Sequence, residues 1–509
     1  MLLCTRRMIR DIDEYSEKKL GISADTLMYN AGANAAKEIN KIVSERCRVL
    51  IMCGKGKNGG DGYVIASELF DAGHYVTVFE SDSETRDRSS EFYRTKLKKK
   101  IKNIYSLSDI SSFSVATEKA DVIVDAIFGV GFHGELPSPE REAVMRANIT
   151  GAIRVAVDIP SGMDSDSGAV GEVCFNASLT LTMAYVKRGC LIYPARSYCG
   201  RIVVCSIGTD MEKVEKDLDF PFFTVDVSHI KKYVLNRPVD SHKGTFGRLM
   251  MICGSDSMTG AAVLACEGAL RMGVGLCELV CTENVARVVG TRCPEVIFTI
   301  VPSVDAWDNT VYEKILMHSV DADAIVIGCG CTSSKNLERV IEVLSSIRGG
   351  PMLIDADGIN CLDGRSEYLH DACRDILITP HPKEFARLSM TDMYQILCDR
   401  YSAAERMAVS NGITVLLKGA STVICRGDGA GCVNVTGNSG LARGGSGDVL
   451  SGIIGALLAK GVDTMMSAAI GAHLHGAAAD ILASRYTEVG VLPRDLPQAI
   501  GEYLKTISE

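Results

Sequence analysis

RVLIMCGKGKNGGDGYVIASELFDAGHYVTVF, residues 48–79, sets the fold class. A short apolar run (48–53) enters a glycine-rich loop. Residues 62–73 then carry helical spacing that stops at Gly73, and a second apolar run occupies 74–79. Further along, DVIVDAIFG (121–129) and IRVAVDIPSG (153–162) repeat the strand signal, each running into glycine. Near-continuous apolar strands separated by helices predict a parallel sheet covered on both faces. Such sheets bind ligands beyond the carboxyl ends of their strands, and Asp125 and Asp158 stand near those ends. The pattern fades near residue 210, and the charge-rich stretch 211–234 suggests a linker or edge piece. A second block starts at GRLMMICGS (247–255) and continues through strand signals at 275–281, 322–330, 351–358, 375–382 and 413–419. STVICRG (421–427) is close enough to 413–419 to form a hairpin-like pair. Helices are expected over 447–461 and 466–483. No repeat relates the blocks, so the expectation is two different α/β domains, 1–212 and 236–509, with 213–235 between them.

Composition agrees with this and excludes other classes. At about 100–200 residues per domain, 509 residues hold more than one domain. Hydrophobic residues at 47% and charged residues at 23% argue against a largely disordered chain. A net charge of −9 argues against a dedicated nucleic-acid binder. The 19 cysteines are scattered without any C-x-x-C, which points to free thiols and a cytoplasmic location. The C-x-C of Cys329 and Cys331 is too little for a metal site. No signal-length or membrane-length apolar run occurs; VLSGIIGALLAK, ending at Lys460, suggests a buried helix.

In the first block, CGKGKNGGDG (53–62) offers backbone N–H groups at a helix start, a geometry that holds anions. Gly54, Gly56 and Gly59, with Glu80 ending the next strand, also match the dinucleotide fingerprint. The plain alternative is a tight turn with Asp61 capping the helix. A carboxylate here would repel a pyrophosphate unless a cation sits nearby. Asn58, Asp125 and the Ser161 region could supply its oxygen ligands. Asp158, set before Ile-Pro-Ser-Gly, suits a general acid/base or simply a turn.

MYNAG (28–32), CGKGKNGGDG, DAIFGVG (125–131) and VDIPSG (157–162) resemble, in order and spacing, the NAD(P)H-hydrate epimerase domain over most of residues 1–210. The resemblance implies a Rossmann-like three-layer sandwich. It implies contact with the hydrated nicotinamide nucleotide from Lys57, Asn58, Gly59, Gly60, Asp61, Gly129, Val130, Gly131, Phe132, His133, Gly134, Glu135 and Asp158. It further implies K+ at Asn58, Asp125 and Ser161, and Lys187 as catalytic partner of Asp158. Lys57 stands where the family usually has Asn and Tyr29 where Glu is common; GVGFHGE lacks the usual threonine.

In the second block, VTGNSGLARGGSGDVLSG (435–452) is the most informative stretch. GGSGD opens a long helix, with Ser446 expected as its N-cap. The glycine amides and helix dipole form an anion hole suited to a transferring phosphoryl group. Asp448 beside it fits a base for an acceptor hydroxyl; the alternative is a capping Asp. No G-x-x-x-x-G-K-[ST] is present, which excludes a P-loop. Lys418 of KGAST (418–422) could meet nucleotide phosphates or sit exposed in a turn. His381, between two prolines in TPHPKE (379–384), suggests a substrate contact, while the acids of DADGIN (355–360) serve a site or cap turns. His473 and His475 point apart on one helix and are taken as structural.

These motifs, with HKGTFG (242–247), resemble the ribokinase-like ADP- or ATP-dependent NAD(P)H-hydrate dehydratase domain over about 236–505. The resemblance implies a nucleotide at Lys418, Gly419, Ala420, Ser421, Thr422, Asn438, Gly444, Gly445, Ser446 and Gly447. It places substrate at Gly330, His381 and Asp448, and Mg2+ with ADP. Lys383 replaces the glycine of P-H-P-G-E, and GCGCTSS (328–334) replaces a G-P-G-L-G-like loop. The two halves in this order resemble the bifunctional NAD(P)H-hydrate repair enzymes of prokaryotes, which favours ADP. The expected partners are small molecules and a second copy of the chain, not nucleic acid or membrane. The rival readings are a dehydrogenase built on Gly54, Gly56, Gly59 and Glu80, a ribokinase-like vitamin or sugar kinase, and a first domain that only binds nucleotides.

Overall fold

In the computed structural model, which describes every residue except 44, 45, 84, 371 and 509, strand Arg48–Cys53 feeds two cores at once. Val49, Ile51 and Cys53 enter one apolar cluster with Tyr63, Ile65 and Leu69; Leu50 and Met52 enter another with Phe113, Val144 and Ala147. Side chains alternate along a strand, so a strand apolar at every position must be covered on both faces. The strand is therefore central, with helices Ala24–Ile42 and Lys57–Asp71 on one side and Ile110–Lys119 and Glu140–Asn148 on the other.

This unit comprises Leu2–Phe222. Its sheet has seven strands, all paired in parallel: 104–106, 75–80, 48–53, 122–126, 153–157, 179–183 and 201–205 in spatial order. The chain moves outward from 48–53 in one direction, returns to 122–126, and moves outward in the other. The reversal lies between 48–53 and 122–126, and the loops after both strands open there, where such sheets take ligands.

The other unit holds Phe223–Glu509 together with Met1. Its ten-stranded sheet runs 222–223, 431–433, 423–426, 414–417, 376–378, 352–354, 324–327, 248–252, 276–281, 297–300. Pairing is parallel from 414–417 to the 297–300 edge, and the expected hairpin appears as an antiparallel pairing of Leu417 with Val423. Helix Ser446–Ala459 lies across the centre of this sheet. A Cβ on Gly455 would strike Val326, and one on Gly452 the carbonyl of Ala265. The helix is rich in small residues because strand side chains and a neighbouring helix backbone press against it.

Several expectations need correction. The first-block helix begins at Lys57, so Asp61 lies inside it and caps nothing; its N-cap is Gly56. The second-block helix is capped by Gly445 at φ 97, which leaves Ser446 as its first residue. The stretch read as a linker or edge piece supplies strand 222–223 at the edge of the ten-stranded sheet, flanked by helices Met211–Asp217 and Val227–Ile230. Seventeen of the 19 cysteines are buried, and Cys373 and Cys398 are exposed. No helix among the described residues is long and apolar enough to cross a membrane.

Two candidate active sites

At the reversal of the first sheet, packing places the glycine loop. Gly54 N–H donates to the carbonyl of Ala126 at 2.9 Å, tying the loop to the neighbouring strand. A Cβ on Gly59 would overlap the Gly54 carbonyl, and one on Gly60 the Met28 sulfur. These glycines let the helix start against the strand end, and Asn58 is carried inward with it. Asn58 is buried, and neither its Oδ1 nor its Nδ2 has a partner among the described residues. Leaving both unmade is costly unless a ligand supplies the contacts.

Asp125 ends the adjacent strand, fully buried. It accepts from Ser161 N and Oγ, both at 2.7 Å, and from Ile127 N at 3.1 Å. Burial pushes its carboxyl up to about 6 against those hydrogen bonds. Asp158 follows the next strand in the left-handed region, φ 69, which few side chains tolerate. Its Oδ2 accepts from Val130 N at 3.2 Å, and its Oδ1 is ion-paired with the wholly buried Lys187. Lys187 also donates to Met183 O at 2.7 Å and Thr182 Oγ1 at 3.1 Å. A Cβ on Gly129 would lie 3.1 Å from Asp158 Oδ2 and 3.4 Å from the Asn58 side chain, so the two flank that glycine. Burial, then the nearby charge of Asp158, hold the Asp61 carboxyl well above the usual range.

The remaining first-site residues divide. Lys57 pairs with Asp13 at 3.0 Å. In the 129–135 loop, Phe132 is buried against Phe128, and Gly131 and Gly134 leave open space around them. His133 is held by Arg6 and Asp164, and Glu135 accepts from Glu172 N at 2.8 Å. Tyr29 stacks on Tyr93. Glu80 is already engaged by Arg94, at 2.7 Å, and by Tyr63 Oη, at 3.0 Å, which removes the ribose acceptor that the dehydrogenase reading needs.

In the second unit, Asp448 stands in the first turn of helix Ser446–Ala459, half-buried, and its carboxylate has no hydrogen-bond partner among the described residues. Burial, then the charge of Asp355, push its carboxyl up to about 7 against the pull of Lys418. Asp355 is the hub that sequence left undecided. It accepts from Lys418 Nζ at 2.9 Å and Ser451 Oγ at 2.8 Å. Its oxygen, one of Asp448 and the Cys329 sulfur lie within 4.8 Å of one another. Burial alone would lower the Lys418 ammonium; Asp355 and Glu384 outweigh it and raise it. Lys418 is therefore no exposed turn residue. Asp355 follows strand 352–354, and its neighbour Ala356 has φ 48.

A Cβ on Gly447 would lie 3.5 Å from Lys418 Nζ and 3.8 Å from Asp355 Oδ2, so this position borders the charged cluster. The space over Gly444 is open, and Ser446 Oγ is buried without a partner. Asn438 caps the turn Ser439–Leu441 and donates to Asp480 at 2.8 Å. Thr422 Oγ1 donates to Gly419 O at 3.0 Å, and Ala420 and Ser421 complete that turn, Ser421 at φ 50. His381 caps helix Pro382–Ser389, its Nδ1 accepting from Lys383 N at 3.0 Å, with its remaining edge partly exposed. Gly330 is fixed by φ 65 and by Ala261 against it.

Comparison with known proteins follows this division. The family model for NAD(P)H-hydrate dehydratase matches residues 249–502, and that for the YjeF-related protein N-terminus matches 24–189. The bifunctional NAD(P)H-hydrate repair enzyme of Moorella thermoacetica is 32% identical over 100% of this chain and 98% of its own. That of Escherichia coli is 33% identical over 94% and 89%. The crystal structure of the ADP/ATP-dependent NAD(P)H-hydrate dehydratase of Bacillus subtilis, co-crystallised with ATP and Mg2+, matches 56% of this chain and 98% of its own. Its TM-score is 0.50 at 28% identity.

Proposed function

The chain belongs to the bifunctional NAD(P)H-hydrate repair enzymes, and from that premise we propose how its residues divide two reactions on one damaged cofactor. The first unit is the epimerase and the second is the dehydratase. Hydration of the dihydronicotinamide ring leaves a hydroxyl at C6 in R and S forms. The first site exchanges them; the second restores the ring from the S form.

One observation carries the reading of the second site. Asp448 is an unpartnered carboxylate held at about 7, in the first turn of helix Ser446–Ala459. A base tuned to the operating pH takes a proton efficiently. Asp448 removes the proton of the C6 hydroxyl, and that oxygen attacks the β-phosphorus of ADP. The bond to the bridging oxygen breaks and AMP leaves, while the amides of 444–447 hold the transferring phosphoryl group. Phosphate is a good leaving group: the ring-nitrogen lone pair expels it from C6, and loss of a proton from C5 restores the 5,6 double bond. Lys418 draws in the anionic nucleotide, and Asp355 keeps that lysine in place. Mg2+ accompanying the nucleotide neutralises phosphate charge.

In the first site Asp158 takes the proton of the same hydroxyl as C6–O becomes an aldehyde carbonyl; the C6–N1 bond breaks, its electron pair goes to the ring nitrogen, and Asp158 passes the proton there. Closure on the opposite face returns the proton. The ion pair with Lys187 holds Asp158 in place. The unpartnered Asn58 amide, the buried Asp125 charge and Ser161 fit a monovalent cation such as K+, a hard ion suited to oxygen donors. A cation there offsets the carboxylates as the substrate's phosphates approach.

The test supplies mixed epimers with ADP, or with ATP, and follows recovery of reduced-nicotinamide absorbance. Wild type should consume both pools. Asp158→Ala should clear the S form at the normal rate and then stall at spontaneous exchange. Loss of S-form turnover in that variant would refute the assignment of one reaction to each unit.

A further inference from the structure

Arg400 opens helix Arg400–Asn411 with its side chain buried. Its Nη2 donates to the carbonyls of Ala420 and Ser421, the latter at 3.0 Å. Its Nη1 fills the space that a side chain on Gly419 would need. The turn it grips is conformationally special at both ends: Gly419 has φ 156 and Ser421 has φ 50. No carboxylate among the described residues lies within ion-pairing distance of Arg400, and burial disfavours its charge. Lys418, one residue before the turn, by contrast has a carboxylate partner in Asp355. Burying a cation without a counter-charge is unfavourable, and the arrangement makes sense where an anion completes it.

We propose that Arg400 is the positioning residue of the nucleotide subsite: it locks Gly419–Ser421 in its left-handed turn and sets a positive charge beneath it for an anionic nucleoside diphosphate. This rests on the assignment of 418–422 to the nucleotide. Arg374 supplies the contrast. It is also buried and also donates to carbonyls, those of Ile347 and Gly350, but it touches no candidate site residue and holds no left-handed turn.

The experiment compares the full-length wild type with Arg400→Leu, Arg400→Lys and, as control, Arg374→Leu. It measures ADP affinity by calorimetry, KM and kcat of dehydration, and thermal melting. Arg400→Leu should weaken ADP binding about tenfold or more, since hydrogen bonds from a charged donor are lost. Its kcat at saturating ADP should stay near the wild-type value. Arg400→Lys should recover part of the affinity, and Arg374→Leu should lower the melting temperature without moving the ADP Kd. A folded Arg400→Leu with unchanged ADP affinity overturns the proposal, as does an equal loss in Arg374→Leu. If Arg400→Leu does not fold, Arg400→Lys decides: an ADP Kd equal to the wild type's overturns it. Wild type that binds no ADP removes the nucleotide assignment and the proposal with it, whereas wild-type binding matched by the variants removes the proposal alone.

Discussion

Replacing Asp448 by Asn should destroy dehydration while making the second unit more stable at neutral pH. The rate loss is that of a general base, about 10²–10⁴-fold, or about 3–5 kcal/mol of transition-state stabilisation. The stability gain follows from the direction of the titration. Folding raises this carboxyl from 3.8 to about 7, so the folded state holds the proton more tightly, and wild-type stability from this group falls as pH climbs from 3.8 through 7. A shift of that size sets a ceiling of about 4 kcal/mol. Partial exposure of the group, and about 1–3 kcal/mol for burying the Asn amide, reduce the net to about 1 kcal/mol. The melting temperature of the variant should therefore exceed that of wild type by about 2–4 °C at pH 8 and by less at pH 5. ADP affinity should not fall, because a negative charge beside the phosphates has been removed. The assay pairs absorbance recovery on pure S epimer with thermal melts at the two pH values. Wild-type kcat/KM should rise with pH to a plateau above about 7. Near wild-type turnover in the variant would remove Asp448 from catalysis. A lower melting temperature at pH 8 would show that its charge is compensated in the fold and that the titration argument is wrong.

Gly59→Ala should destabilise the first unit by about 1–3 kcal/mol or more, because its Cβ would overlap the Gly54 carbonyl; an unchanged melt would mean that the loop packs differently. Asn58→Ala should remove potassium stimulation of epimer exchange without lowering the melting temperature, since no intramolecular hydrogen bond is lost; stimulation equal to wild type would place the ion elsewhere.

The strands that sequence located most plainly are those apolar at every position after the first, such as 48–53 and 248–252. Strand 179–183 was missed because Thr180 and Thr182 break its apolar run. Both are wholly buried, with Thr180 Oγ1 donating to Cys199 O at 2.7 Å and Thr182 Oγ1 to Tyr185 O at 3.2 Å. Strand 201–205 lies at the sheet edge with several positions partly exposed, so it lacks the doubly covered signature. Helix starts were misjudged for a related reason. Glycines at 59 and 60 were taken for loop, yet the contact with Gly54 and Met28 demands them inside the helix.

Residues whose chemistry is written in a local motif could be found locally, and residues defined by their partner could not. Asp448 and the glycine amides before it sit together in five consecutive residues, 444–448. Asp355 meets Lys418 across 63 positions and Ser451 across 96, so nothing near DADGIN distinguishes a hub from a turn cap. His381 carries a second, structural duty that sequence did not show. Flanking prolines marked it as rigid, and rigidity also serves the helix cap with Glu384. The Gly447 position makes the same point: its backbone is helical, and the left-handed glycine is Gly445. A side chain at 447 therefore acts by filling the space toward Lys418 and Asp355 rather than by straining the chain, and it should weaken nucleotide binding more than folding.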